Sequence, residues 1–390
     1  MRKKICVLTA TRAEYGLLRP LIKKLTCVKE FDVRVVVTGA HLSPEFGLTY
    51  KEIENDGIVI DEKIEILLSA DTPSAVSKSM GLAMIGFSDY FNRLMPDLLV
   101  VLGDRYETLA VATVAMNHRI PIAHLHGGET TVGAIDESVR HAISKLSYLH
   151  FTSTEEYRNR VIQLGEHPER VFNVGAIGIE NILNEPLMTK SELEEAIDFK
   201  LDKPYAVVTF HPVTLEDNSS EQQTRALLDV CGSYKDMKFI FTKANADAHG
   251  RVINRMIDEF VVTNDHAVAF SSLGLNRYLS ALKYSTMVIG NSSSGIIEAP
   301  SFGVPTINIG DRQRGRVRAT SVINCEPSKE DIDKAIRLAL SDDFRAVAKN
   351  TINPYGNGNT SERIVRVIND FVINDKVNLK KQFYDWKVSY

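Results

Sequence analysis

Between residues 97 and 141 the chain reads DLLVVLGDRYETLAVATVAMNHRIPIAHLHGGETTVGAIDESVRH, and acid/base groups crowd into it. Asp104 and Arg105 follow an apolar run at 98–102. His126 and Glu129 follow a second run at 120–125, and Asp136, Glu137 and Arg140 open the helix predicted next. Carboxylates gathered with a histidine and arginines suit general acid/base work, since burial and like charges raise some carboxyl pKa values towards neutrality. The plainer reading has Asp136 and Glu137 capping a helix and Asp104 holding a turn. Spacing alone does not choose between these acids.

His124 and His126 alternate along the second run and are expected to share a strand face. Two imidazoles without a third well-spaced ligand are more often structural or acid/base groups than metal ligands, so no metal is expected. His211, at a strand end before Pro212, is a further functional candidate.

A different chemistry stands at 291–295, NSSSG, between an apolar run and a helix. Asn291 and the hydroxyls of Ser292 and Ser293, with backbone N–H groups at a helix start, make an anion cradle. Asn and Ser are also ordinary helix caps. Glu298, read as lying in the first turn, either satisfies the helix dipole or takes a ribose hydroxyl pair beside a bound phosphate. Arg12, Arg105, Arg140, Arg312, Arg314, Arg316 and Arg318 recur at predicted strand ends or in the loops after them. Together they suit a diphosphate, because guanidinium forks match phosphate oxygens. The loop at Arg12 lacks GxGxxG, which disfavours a nicotinamide dinucleotide.

These groups need rigid strand ends to stand on. Buried strands are predicted at 5–8, 33–37, 98–102, 120–125 and 149–152, and again at 205–210, 239–242, 287–290 and 306–309. Helices fall between them, at 17–25, 49–55, 74–94, 157–164, 253–260, 275–282 and 296–301, with a last one at 364–371. Alternation of this kind predicts α/β architecture with parallel, doubly wound sheets. Capping boxes are read at 153–156 and 191–194. A chain of 390 residues is long for one core, so two domains are expected, 1–172 and 173–362, followed by a tail, 363–390.

Composition narrows the class. Apolar residues at 44% and charged residues at 25% are those of an ordinary globular protein, and a net charge of −4 argues against a nucleic-acid binder. Four cysteines without a CxxC pair read as reduced thiols of a cytoplasmic protein. No apolar run approaches the ~20 residues of a membrane span.

In order along the chain, TRAEYG, VTGAHLSPEFGLTY, VLGDRYE, HGGE with IDESVRHAISKLS, FHPVT, NADAHG, GNSSSGIIEAPSFGVPTINIGDRQRGR and NPYGNGN resemble the hydrolysing UDP-N-acetylglucosamine 2-epimerases of sialic acid biosynthesis. The resemblance implies two Rossmann-like domains facing a central cleft, as in the GT-B group of UDP-sugar glycosyltransferases, with the last helix crossing back to the first domain. It implies conversion of UDP-N-acetylglucosamine and water to N-acetylmannosamine and UDP, without metal or cofactor, in a homo-oligomer (dimer or tetramer). UDP leaves by anti elimination to a 2-acetamidoglucal, which water then hydrates with inversion at C2.

Carried over by position, Asp104, Asp136 and His211 lie near the reacting sugar. By the same resemblance Arg12, Arg105, His211, Asn245, Ser292, Ser293, Glu298 and Arg312 match UDP-contacting positions, and Glu298 would hold the ribose. Some relatives read HIEGGE where this chain has HLHGGE, so either His126 replaces their first glutamate or Glu129 covers its role. A sister activity on a 2,4-diacetamido-trideoxy UDP-sugar, on the legionaminic acid route, differs only in pocket shape. The non-hydrolysing epimerase is a further rival, disfavoured by HGGE and IDESVRH.

Overall fold

The computed structural model describes residues 2–68, 70, 72–130, 135–211, 219–243 and 250–386. The chain divides into two compact units, Met1–Asn181 with Tyr355–Tyr390, and Ile182–Pro354.

The first unit carries a parallel sheet of seven strands, β1 (Lys3–Thr9), β2 (Phe31–Thr38), β3 (Ile60–Ile64), β4 (Leu98–Leu102), β5 (Ile122–Leu125), β6 (Leu149–Thr152) and β7 (Val171–Asn173). Their order is β3-β2-β1-β4-β5-β6-β7. Alternate residues of each strand face opposite sides, so an unbroken apolar run serves two cores at once. Ile5, Val7, Leu98 and Val100 pack with Ile364, Ile368 and Val372 of the last helix, Thr360–Ile373. Cys6, Leu8, Leu99 and Val101 face the other way, towards Phe87, Tyr90 and Phe91 of the helix Pro73–Leu94. Helices thus cover both faces, as a parallel sheet requires.

The second unit holds six parallel strands, β8 (Tyr205–Thr209), β9 (Lys238–Thr242), β10 (Ala267–Phe270), β11 (Met287–Gly290), β12 (Thr306–Ile309) and β13 (Val322–Cys325), in the order β10-β9-β8-β11-β12-β13. Sequence reading passed over β10 and β13. Both are edge strands and mostly half-buried, so neither carries the continuous apolar run that marks a central strand.

The unit boundaries differ from the expected 172 and 362. Residues 173–181 stay with the first sheet because Val174 N–H donates to the Thr152 carbonyl at 3.0 Å and the Asn181 amide donates to the Gly16 carbonyl at 2.8 Å. The chain re-enters that unit at Tyr355, whose carbonyl accepts the Ala176 N–H at 2.7 Å.

Both predicted capping boxes shift. Thr154, not Ser153, caps the helix Glu155–Gln163, accepting the Tyr157 N–H at 3.2 Å. Thr189 and Glu192 form the reciprocal box on the helix Lys190–Ile197, two residues before the expected one. No helix among the described residues is long and apolar enough to cross a membrane.

Candidate active site

In an open α/β sheet, ligands bind outside the carboxyl ends of the strands where strand order reverses. The first sheet reverses between β1 and β4, and the second between β8 and β11. Both singled-out clusters stand at or beside such a point.

In the first unit, Gly103 ends β4 with φ +77°, and Asp104 follows. Arg140 is buried on the helix Asp136–Leu146 and donates through Nη2 to Asp104 Oδ2 and through Nη1 to the Glu129 carbonyl at 2.6 Å. One guanidinium therefore ties two loops to one helix. The helix itself begins after Ile135, which offers no side-chain cap. Asp136 and Glu137 are first-turn acids rather than caps. Asp136 reaches solvent, yet partial withdrawal from water and then the Asp104 charge push its carboxyl above the ordinary aspartate value, against the pull of Arg140 and Arg105. Glu137 pairs with His141 at 3.2 Å and lies 3.7 Å from Arg140.

The expected shared face of His124 and His126 is not formed. The strand β5 ends at Leu125, and His126 turns away with φ +65°. His124 is fully buried between the Gly103 carbonyl, 2.8 Å from Nε2, and Ser144 Oγ, 3.1 Å from Nδ1. Burial drives its pKa down to about 3, so it is neutral and holds the turn before Asp104 in place. His126 accepts the Ile177 N–H on Nε2 at 3.3 Å, and its Nδ1 lies 3.2 Å from Glu129 Oε1. Glu129 Oε1 also accepts from Ser153 Oγ at 2.7 Å. Sequence reading missed Ser153, having taken it for a cap.

In the second unit, Gly290 closes β11 with φ +135°, and a Cβ there would stand 1.9 Å from the Thr209 carbonyl oxygen. Only glycine lets β11 and β8 end this closely. Asn291 then clamps the neighbouring loop: its Oδ1 accepts the His211 N–H at 2.7 Å and its Nδ2 donates to the His211 carbonyl at 2.9 Å. The Asn291 carbonyl accepts from Arg312 Nη1 at 3.0 Å and Gln313 Nε2 at 2.9 Å. Arg312 is thereby held beside Ser292 and Ser293, although distant from them in sequence.

The helix after this turn starts three residues before the expected 296 and ends at 297, Ser293–Ile297, with Ser292 as its cap and a 3-10 turn, Ala299–Phe302, behind it. Glu298 therefore lies at the end of that helix and not in a first turn. Its carboxyl accepts from Ser294 Oγ, which in turn accepts from Tyr278 OH at 2.7 Å. Burial raises the Glu298 pKa, with the Ser294 hydroxyl opposing.

Not every predicted contact gathers at these points. Arg12 is exposed on the helix Arg12–Thr26 and pairs with Glu52 at 3.0 Å. Arg314 is exposed, and Arg318 donates to the Gln313 carbonyl at 3.2 Å. Asn245 and Pro212 lie outside the described residues.

A family model described as UDP-N-acetylglucosamine 2-epimerase matches residues 23–369. A Campylobacter jejuni protein named GDP/UDP-N,N'-diacetylbacillosamine 2-epimerase (hydrolyzing) is 47% identical over 88% of this chain and 89% of its own. Polysialic acid biosynthesis protein P7 of Escherichia coli is 42% identical over 98% of this chain and 97% of its own. In fold, the chain is similar to the crystal structure of UDP-GlcNAc 2-epimerase from Neisseria meningitidis bound to UDP-GlcNAc. That likeness has a TM-score of 0.81 at 19% identity, covering 94% of this chain and all of the other.

Proposed function

The chain belongs to the UDP-N-acetylglucosamine 2-epimerase family, and on that premise we propose that it hydrolyses UDP-N,N'-diacetylbacillosamine, releasing UDP and the free sugar inverted at C2. The observation that carries the choice of sugar is the 47% identity to a hydrolysing enzyme named for that sugar. UDP-N-acetylglucosamine, the substrate expected from sequence, is the second reading. The 42% identity to a polysialic acid biosynthesis protein favours it.

The chemistry assigns work to both sets of residues. Removing a weakly acidic C2 hydrogen demands a positioned base, and expelling a diphosphate from C1 demands donors and positive charge. Asp104, aimed by Arg140, takes the C2 proton. Asp136 holds a proton to a higher pH than an ordinary aspartate and suits delivery of hydrogen to the opposite face of the double bond. Glu129, oriented by His126 and Ser153, covers the remaining acid/base role that the sequence left between two residues. Ser292, Ser293, His211 and Arg312 take the diphosphate, Glu298 holds the ribose, and Arg105 is a further diphosphate candidate by its residue type.

The test is incubation with each sugar nucleotide in deuterated water. Free UDP with deuterium at C2 of the released 2,4-diacetamido sugar, at higher kcat/KM than with UDP-N-acetylglucosamine, is expected. Preference for UDP-N-acetylglucosamine reverses the two readings. A GDP-linked sugar turned over faster than its UDP counterpart removes the uridine assignment, and an epimerised nucleotide sugar without free UDP removes hydrolysis.

A further inference from the structure

Beyond the helix Thr360–Ile373, residues 376–386 run along the first unit without helix or strand. Their fastening is specific. Lys381 Nζ donates to the Lys145 and Ser147 carbonyls, each at 2.8 Å, and shares its third hydrogen between the two oxygens of Glu166, at 2.9 and 3.0 Å. On one side of it, Tyr148 OH donates to the Lys376 carbonyl at 3.2 Å and accepts the Asn378 N–H at 3.1 Å. On the other, Tyr384 N–H donates to the Gly165 carbonyl at 2.9 Å, and Phe383 covers Gly165 so closely that a Cβ there would enter its ring.

Lys145 and Ser147 stand at the end of the helix Asp136–Leu146, whose other end carries Asp136, Glu137 and Arg140. The last carbonyls of a helix have no partner within it, and a cation there satisfies them and complements the helix dipole. Glu166, 1% exposed, also receives Lys145 Nζ at 2.6 Å and His150 Nε2 at 3.2 Å. Burial would raise its carboxyl, yet His150 and the two lysines hold it down at about 2, so it stays charged and anchors Lys381.

Two further contacts lead from the pinned turn to Asp104. Ser144 accepts the Ser147 N–H on its carbonyl at 3.1 Å, and its Oγ lies 3.1 Å from His124 Nδ1. His124 Nε2 donates to the carbonyl of Gly103, the residue before Asp104, at 2.8 Å. Ser144, Ser147 and His124 are fully buried, so bulk water does not make good a bond lost among them.

We propose that Lys381 is a positioning residue for the acid/base chemistry: by fixing the last turn of the helix Asp136–Leu146 it sets the Ser144–His124–Gly103 contacts that aim Asp104. The proposal rests on the reading of Asp104 as the base that takes the C2 proton. Arg140 holds Asp104 from the middle of that helix, and Ser144 holds it through His124 from the last turn. Both holds keep their spacing only while the helix stays wound to its end. A misplacement of about 1 Å at a reacting group costs up to about 100-fold in rate, so a loosened last turn is expected to cost about tenfold.

The test compares wild type with Lys381→Met, which keeps the apolar stem without the ammonium, and with Lys381→Arg, which restores charge and donors. Lys381→Met is expected to lower kcat about tenfold with KM for the nucleotide sugar near wild type, and Lys381→Arg to recover most of the loss. Lys380→Ala, at the exposed neighbouring position, should leave kcat unchanged. If Lys381→Met does not fold, Lys381→Gln, which keeps two donors, carries the same comparison. Hydrogen exchange of the full chain supplies an arm independent of catalysis: amides 103–105 and 144–147 should exchange about tenfold faster in Lys381→Met. Faster exchange confined to 376–386 overturns the proposal, because the tail is then a surface strap alone. An unchanged kcat, or a loss that appears only in KM, overturns it as well. Absence of turnover by wild type with every sugar nucleotide would remove the proposed function while leaving the exchange to decide the link from Lys381 to Asp104.

Discussion

His126 Nδ1 lies 3.2 Å from Glu129 Oε1, while Nε2 of the same ring accepts the Ile177 N–H at 3.3 Å. A neutral imidazole with its hydrogen on Nδ1 makes both bonds, so each ring nitrogen already has a structural partner. On the proposed reading the histidine aims the glutamate, and the glutamate is the acid/base group.

Substitution should separate the two. Glu129→Gln is expected to lower kcat by about 10²–10⁴, the usual weight of a positioned acid/base group. His126→Asn tolerates the left-handed backbone and should keep kcat within about tenfold. The reverse ranking in steady-state kinetics would return the acid/base role to His126.

Asp104→Asn should abolish turnover while leaving UDP affinity, measured by calorimetry, near wild type. Near-normal turnover removes Asp104 from the reaction. Arg140→Ala should instead reduce stability by about 3 kcal/mol. That is the low side of the range for breaking a buried pair, because Asp104 keeps some contact with water. An unchanged denaturation midpoint would mean that Arg140 does not tie the loops together.

Gly290→Ala should unfold the second unit's strand ends or lose UDP binding, since the new methyl group would stand inside the Thr209 carbonyl and at a φ that alanine avoids. Gly16→Ala is the control. It lies in the helix Arg12–Thr26 with open space around its Cβ position, and alanine there should stabilise by about 0.5–1 kcal/mol. Equal melting temperatures for the two variants would contradict the close approach of β8 and β11.

Acid should weaken the fold through buried histidines. Burial lowers His124 to about 3 and His41 to about 4, both below the ordinary 6.5. The unfolded chain then takes up protons that the folded chain refuses. Their contribution is complete above pH 6.5 and is lost as pH falls from 6.5 towards 4, at up to ~1.4 kcal/mol per pH unit for each. Denaturant titrations at pH 5 and pH 7 measure the slope, and His41→Asn should remove about one proton from it. Burial also raises Glu14 to about 7, which sets one proton of opposite sign against the histidines over this window. The difference between wild type and His41→Asn therefore decides the matter, and no difference would argue that His41 is charged in the folded protein.

The sequence by itself determined the parallel α/β class, the central strands and the loops on which the candidate groups stand. Five-residue apolar runs such as LLVVL at 98–102 can be satisfied only by burial on both faces, and each ends in glycine or polar residues. Edge strands β10 and β13 were silent because half-exposed residues carry no such signal. The capping pair Thr11 and Glu14 stood in the sequence at a readable spacing and went unread. Only tertiary structure could decide partners, since hydrogen bonds between loops distant in the chain leave no periodic trace. It set Arg140 on Asp104, Asn291 around His211, Arg312 on the Asn291 carbonyl and Glu107 beside Arg105. Residue types announced which reactions were available. Long-range packing fixed which groups aim and which are aimed.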